Sequence, residues 1–241
     1  MLNLNYNIIE CQRRTIAPIL ANDFNYFLIG GGGGGSAGGS SIGGRGGEGG
    51  KITTGSISLP HLSTFNITIG NGGAGGNPLN GLGLNGTQTI LNLNSSVVSF
   101  ASGGLGDFNS TGNQDYNQVG LEYDYFNSGI WSGNGTKGGD TPSGFVGNGG
   151  GSLANNNLPW TTNPSPSSKN GLANTGGGGA GERFGSWPGG NGGIGLAVLS
   201  FLDPRDVFEY SGNYSYFEYD GNRKYFYYLN NGTFTFLGKR N

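Results

Sequence analysis

GGGGGGSAGGSSIGGRGGEGGK, residues 30–51, carries a repeat that points to the architecture of the whole chain. Counted in threes from Gly31, one column reads Gly, Gly, Ala, Ser, Gly, Gly, Gly, and the column from Gly32 reads Gly, Gly, Gly, Ser, Gly, Gly, Gly. Variety is confined to the third column, at Ser36, Ile42, Arg45, Glu48 and Lys51. A period of three belongs to extended left-handed helices of the polyproline-II type, which have no internal hydrogen bonds. Glycine in two columns of three lets such helices lie side by side and bond through main-chain N–H and C=O. The expectation is therefore a polyglycine-II helix bundle, with the first run a rod of roughly 65 Å at about 3.1 Å per residue.

Shorter runs recur at 70–77, 103–106, 147–151, 176–181 and 189–195. Gly31, Gly34, Gly43, Gly46 and Gly49, then Gly72 and Gly75, then Gly189, Gly192 and Gly195 are the positions expected to permit close packing. The third column is expected to point outward, with Arg45, Glu48 and Asn71 in water and Ile42, Leu105, Ile194 and Leu196 toward a capping layer of strands. Valine at Gly46 or Gly192 should then collapse the bundle.

Composition excludes several classes. Gly 54 and Pro 9 make 63 of 241 residues, about 26%, which touches the disordered range. The charged fraction is only 11%, the net charge −2 and the aromatic fraction 12%, which is not the make-up of an unfolded chain. Collagen would need far more proline. A pI near 5.3 leaves no basic footprint for nucleic acid. One cysteine, Cys11, excludes an internal disulfide framework. The N-terminus lacks the basic and apolar segments of a secretory signal, and no apolar run reaches membrane-spanning length. Synthesis in a cytoplasm without insertion into a membrane is the expectation.

Around the glycine runs, Phe24–Ile29 reads as a compact apolar strand, and Ile52–Leu59 precedes Phe65–Ile69, whose alternation is a half-buried strand pattern. Thr87–Phe100 is strand-like, and Ile194–Phe201, the most continuous apolar stretch after the N-terminal third, is expected to end the glycine-rich body. Leu2–Tyr6 also alternates. The end of the chain reads YSYFEY–DGN–RKYFYYL–NNG–TFTFL, where Asp220-Gly221 and Asn231-Gly232 predict a three-stranded antiparallel β-meander. The fold class expected is mainly irregular or all-β by assignment, with almost no α-helix beyond a turn near Asp203–Val207. Three regions follow: N-terminal strands over 1–29, possibly forming a small β-module with the C-terminus; a glycine-rich body over 30–201; and an aromatic β-meander over 202–241.

Chemistry-bearing motifs are sparse. GxGxxG recurs but no helix follows it, so it is read as structural glycine. Arg45–Ile52 misses a P-loop at both ends. His61 is read as an exposed turn residue, and one His with one Cys cannot build a zinc site. Glu122/Asp124 and Glu218/Asp220 are carboxylate pairs read as solvated. Asp203/Asp206 and Asp107/Asp115 are weak calcium candidates without ligand spacing. Seven Asn-x-Ser/Thr sequons occur, at Asn66, Asn85, Asn94, Asn109, Asn134, Asn213 and Asn231. No cofactor, no metal and no enzyme activity are expected. Tyr123, Tyr125, Phe126, Trp131, Trp160 and Trp187 lie between glycine runs, and with Phe184 they suit either a glycan or protein receptor or the capping of bundle ends.

The segments FLIGGGGGGSAGG (27–39), ITIGNGGAGG (67–76) and GGNGGIGLAVLSF (189–201) occur in the order found in the glycine-rich domain family of phage tail-fibre adhesins and large-virus virion proteins. The chain resembles that family over roughly Asn25–Phe201. The C-terminal EYDGNRKYFYYLNNGTFTF is similar to a β-segment that usually precedes such a domain, whereas here it follows. The resemblance implies a virion structural protein, a tail-fibre or surface-spike component that contributes to host attachment through loops on a polyglycine-II scaffold. Its partners would be other virion proteins, docked through the terminal β-module, and a host surface receptor. A capsid-surface or assembly protein without receptor binding is the first alternative. An ice-binding protein is the second, although the charged third column breaks the flat repeat that ice binding needs.

Overall fold

The computed structural model describes residues 21–37, 44–78, 81–106, 121–122, 131–132, 170–181, 188–203, 207–219 and 222–239. Within them the chain is all-β, with no helix. The strands are β1 (Ala21–Ile29), β2 (Ile52–Pro60), β3 (Ser63–Thr68), β4 (Thr89–Leu93), β5 (Ser96–Ala101), β6 (Leu121–Glu122), β7 (Trp131–Ser132), β8 (Leu196–Leu202), β9 (Phe208–Asn213), β10 (Tyr216–Tyr219), β11 (Arg223–Tyr228) and β12 (Gly232–Lys239). Two five-stranded antiparallel sheets form, in the orders β10-β11-β8-β1-β2 and β5-β4-β3-β12-β9, beside a small β6-β7 ladder.

Alternation along the strands dictates how the two sheets meet. Phe24, Leu28, Leu199, Phe201, Phe226 and Tyr228 of the first sheet share one buried core with Phe65, Ile67, Leu91, Phe234 and Phe236 of the second. The intervening residues Phe27, Ile29, Val198, Tyr225 and Tyr227 form a separate buried cluster, as period-two side-chain placement requires. The shared core is mostly aromatic. Phe24 lies 4.7 Å from Phe201 and 5.4 Å from both Phe234 and Phe236, ring centre to ring centre. These are offset and edge-to-face separations, which add to plain area burial.

The C-terminal segment departs from the expected meander. β10 and β11 pair as a hairpin, Tyr219 opposite Lys224. β11 then pairs with β8, while β12 pairs with β3 and β9 in the opposite sheet. The Asn231-Gly232 step therefore crosses between layers instead of turning a hairpin. The reason lies in Phe226, Phe234 and Phe236, which are buried in one core from opposite sides. Thr87–Phe100, read as strand-like, folds as the hairpin β4-β5, with Asn94 and Ser95 in the left-handed region at φ 46° and 71°. Leu2–Tyr6 and most of the turn near Asp203–Val207 lie outside the described residues.

Six strands run straight into glycine segments. β1 leads into 30–37, 44–51 enters β2, β3 leads into 70–77, 81–88 enters β4, β5 leads into 102–106 and 188–195 enters β8. Segment 30–37 is the axis of this second layer. Its amides donate in strict rotation to three neighbours. Gly30, Gly33 and Ser36 donate to the carbonyls of Lys51, Glu48 and Arg45, at 3.0, 2.8 and 2.8 Å. Gly31, Gly34 and Ala37 donate to Thr87, Leu84 and Gly81, and Gly32 and Gly35 to Gly193 and Gly190. In each series the partner number falls as the donor number rises, so these three neighbours run antiparallel. Its carbonyls accept from three others: Gly31 from Gly104, Gly32 and Gly35 from Gly73 and Gly76, and Gly33 from Gly179. Neighbouring segments around the axis also bond to one another, in the ring order 44–51, 102–106, 81–88, 70–77, 188–195, 176–181.

This arrangement corrects two sequence expectations. Residues 30–51 are not one rod, because Gly30 bonds to Lys51 and the run folds back on itself. Nor does the third column point outward along the axis. A Cβ on any of Gly30, Gly31, Gly32, Gly33, Gly34 or Gly35 would stand 2.0–2.1 Å from a main-chain oxygen, and Ser36 is buried. Six neighbours close all three columns, which explains six consecutive glycines. On the periphery one column reopens: Asn71, Ala74 and Asn77 are exposed, while Gly72 and Gly75 would meet Gly192 and Gly189. Of the residues expected to face a capping layer, Leu105 and Ile194 are exposed, Leu196 is buried within β8, and Ile42 is outside the described residues.

Tyrosine packing gives the sandwich an alkaline limit. Burial raises the phenol of Tyr228 well above its ordinary value. At Tyr227 burial acts first and a hydrogen bond to Glu218 adds to it, and at Tyr216 burial acts first and the Glu218 charge second. A phenol whose proton is held more tightly in the folded state stabilises the fold fully below its unfolded value, about pH 10. That contribution is lost as pH rises toward the folded value. The melting temperature should therefore fall steadily above about pH 10, with phenolate absorbance appearing together with unfolding. Phenolate formed fully by a chain that stays folded would contradict this.

Candidate binding face

The glycine segments have two ends, and one is joined to the sandwich. The joint is Thr89, fully buried, whose hydroxyl donates to the carbonyl of Ile29 (2.6 Å) and accepts from the amide of Gly70 (2.9 Å). One side chain thus ties both sheets to the root of the axis. Sequence reading missed it, because a threonine in a strand-like run carries no separate signal.

The opposite end gathers the breaks in the chain. Ala37 bonds to Gly81, Ser36 to Arg45, and Gly76 to Gly35. Gly181 packs on Gly44, and Gly189 on Gly35. The described residues that flank 38–43, 79–80 and 182–187 therefore share one level, remote from the sandwich. Gly106, which precedes 107–120, leaves beside Leu84 and donates to Asn85 Oδ1 at 2.8 Å.

Asparagine and threonine side chains finish the edges of the bundle where no carbonyl is available. Asn191 Oδ1 accepts from Gly75, Asn170 Oδ1 from Asn191 and Thr87 Oγ1 from Asn71, each at 2.8 Å. These are charge-neutral substitutes for main-chain acceptors, and each satisfies an amide that water would otherwise have to reach. Three sequon asparagines serve the same purpose: Asn85, Asn94 and Asn231 accept from Gly106, Thr64 and Ile69. Glu48, expected to stand in water, is largely buried at its side chain. One of its oxygens pairs with the exposed Lys51 and the other accepts from the Leu105 amide at 3.3 Å, and Arg45 is half-buried.

Of the aromatic candidates, Tyr123, Tyr125, Phe126, Trp160 and Trp187 lie outside the described residues, as does Phe184. Trp131 opens β7, where it pairs with Glu122 of β6. Of the glycines singled out from sequence, Gly31, Gly34, Gly72, Gly75, Gly189, Gly192 and Gly195 would each place a Cβ within 2.2 Å of a main-chain oxygen. Gly49 is buried and Gly46 half-buried, while Gly43 is outside the described residues.

The titratable groups of the described residues are scattered. His61 sits in the exposed turn between β2 and β3. Among the described residues no group of three or more His, Cys, Asp or Glu could hold a metal ion. Asp203, a weak calcium candidate by sequence, is buried against the Lys224 ammonium at 3.0 Å. Its sequence partner Asp206, and the other calcium candidates Asp107 and Asp115, lie outside the described residues. No helix among the described residues is long and apolar enough to cross a membrane.

A family model described as a glycine-rich domain matches residues 13–202. The chain belongs to the glycine-rich domain family. In this glycine-rich domain the match takes in the seven glycine segments of the described residues and β1–β8, and ends where β8 does. β9–β12, which complete both sheets, lie beyond it. No curated protein and no solved structure matches the chain.

Proposed function

We propose that this glycine-rich domain is a non-catalytic attachment component of a virion, a tail-fibre or surface-spike piece. A bundle of polyglycine-II helices would hold contact loops away from a β-sandwich. The observation that carries the reading is the shared level of Ala37, Gly44, Gly81, Gly181 and Gly189, at the end remote from the sandwich. Loops mounted on a rigid frame are where binding residues concentrate. The polyglycine-II assignment rests on the rotation of donors among three neighbours with period three, the repeat of that helix. The viral setting rests on the resemblance of segments 27–39, 67–76 and 189–201 to the tail-fibre family.

In this reading a host glycan or protein receptor meets the remote end, and other virion proteins dock on the sandwich. Trp131→Ala and Trp160→Ala are the test. The expected result is loss of binding to host cells, with the melting temperature unchanged. Variants that melt early and still bind would make these aromatics caps of the bundle and overturn the attachment role. An assembly protein without a receptor is favoured by one feature, β10, an edge strand among the described residues, on which Tyr216, Phe217 and Tyr219 are all exposed. Electron microscopy that locates the chain in a particle separates the two, since an assembly piece would be buried between subunits.

A further inference from the structure

We infer that Asp203 and Lys224 are the two halves of an intramolecular amide cross-link, formed by condensation of the lysine amine with the aspartate carboxyl. Asp203 follows β8 directly, is fully buried, and is fixed by its own amide donating to Asn222 (2.8 Å). Lys224 is the second residue of β11, opposite Phe201, and is also buried. Its Nζ stands 3.0 Å from Asp203 Oδ2. Yet that oxygen takes part in no hydrogen bond, so the amine approaches it off the ordinary hydrogen-bonding directions.

The surroundings fit a reaction better than a lasting ion pair. The Tyr210 ring lies under Nζ, its centre 4.7 Å away, and the Tyr210 hydroxyl is 3.4 Å from the amine. Tyr219 closes the other side and donates from its hydroxyl to the Asp203 carbonyl at 3.3 Å. Full charges removed from water by such walls are costly to keep, and condensation to a neutral amide removes both.

The chemistry balances without a co-reactant. Nζ passes one proton to Oδ2, leaving a free lone pair and a carboxylic acid. The lone pair adds to Cγ, and the charge that develops on Oδ1 is met by the Val207 amide, already bonded to that oxygen at 2.7 Å. A second proton moves from nitrogen to the departing hydroxyl, with the Tyr210 hydroxyl in reach as relay. The C–O bond breaks, water leaves, and an Nζ–Cγ amide remains. It joins the neighbouring strands β8 and β11 and closes a covalent loop that contains β9 and β10.

Intact mass spectrometry of the purified full chain tests this. The expected mass is lighter than the sequence by one water, and digestion yields a branched peptide that joins the fragments holding Asp203 and Lys224. Asp220-Gly221 can lose a water by cyclising on its own main chain, so Lys224→Arg is the control. The water must return in that variant. A native chain with the full sequence mass, a water loss that survives in Lys224→Arg, or only linear peptides after digestion would each overturn the cross-link. Should Lys224→Arg fail to fold, the branched peptide of the native chain decides alone.

Discussion

Gly33→Val is expected to destabilise the chain by more than about 4 kcal/mol, enough to leave the glycine segments unfolded at ambient temperature. A Cβ at Gly33 would stand 2.1 Å from the carbonyl oxygen of Leu105 and 2.3 Å from its carbon. Neither atom can retreat, because the Leu105 carbonyl is held by the amide of Glu48, and Glu48 in turn accepts from Gly33 itself. The side chain would have to separate three segments that are mutually bonded. Domains of this size are stable by about 5–15 kcal/mol, so the loss is a large part of the whole. Ala74→Val is the control: two added methyl groups on the exposed column of segment 70–77 should shift stability by less than about 0.5 kcal/mol. Denaturant unfolding of both variants checks the pair. Equal midpoints would mean that the axis is not closed on all sides.

Phe24→Ala should cost about 3–5 kcal/mol. Phe24 is fully buried and meets Phe65, Phe201, Phe234 and Phe236, so it bridges both sheets from the strand that continues into the axis. The vacated space cannot collapse easily, since its walls are rings belonging to three other strands, β3, β8 and β12. Because Ile29 passes directly into Gly30, the damage should travel. Hydrogen exchange at the amides of Gly31 to Gly35 is expected to speed up together with that of β8 and β12. Faster exchange confined to the sandwich would show that the two layers unfold independently.

Much of this architecture was legible in the residues. Period two marked β3, compact apolar runs marked β1 and β8, and period three marked the segments that bond through their backbones. What a single chain does not display is the number of neighbours each segment will have. The glycines of 30–35 carry no register of their own, and only the ring around them explains why no third residue interrupts them. Partner choice was hidden for the same reason. Asn231-Gly232 is a local hairpin signal, yet the gain from burying Phe234 and Phe236 opposite Phe226 is larger than what a two-residue turn can offer. Asn94-Ser95 closed a hairpin without the glycine that usually announces one. At the candidate face, spacing alone located the aromatic loops between glycine runs, but only main-chain pairing shows where their anchors stand. The buried meeting of Asp203 with Lys224 had no trace in spacing, because its two members are brought together by the pairing of β8 with β11.

The rotation of donors along 30–37 gives this body something like a triplet reading frame. One residue added within the axis would hand every later amide to the wrong neighbour, and the error would persist to the end of the segment. Lengthening is tolerable only as whole triplets supplied to every member of the ring together. At the remote exits no such grammar applies, so evolution can rewrite what is displayed there without touching the frame that displays it.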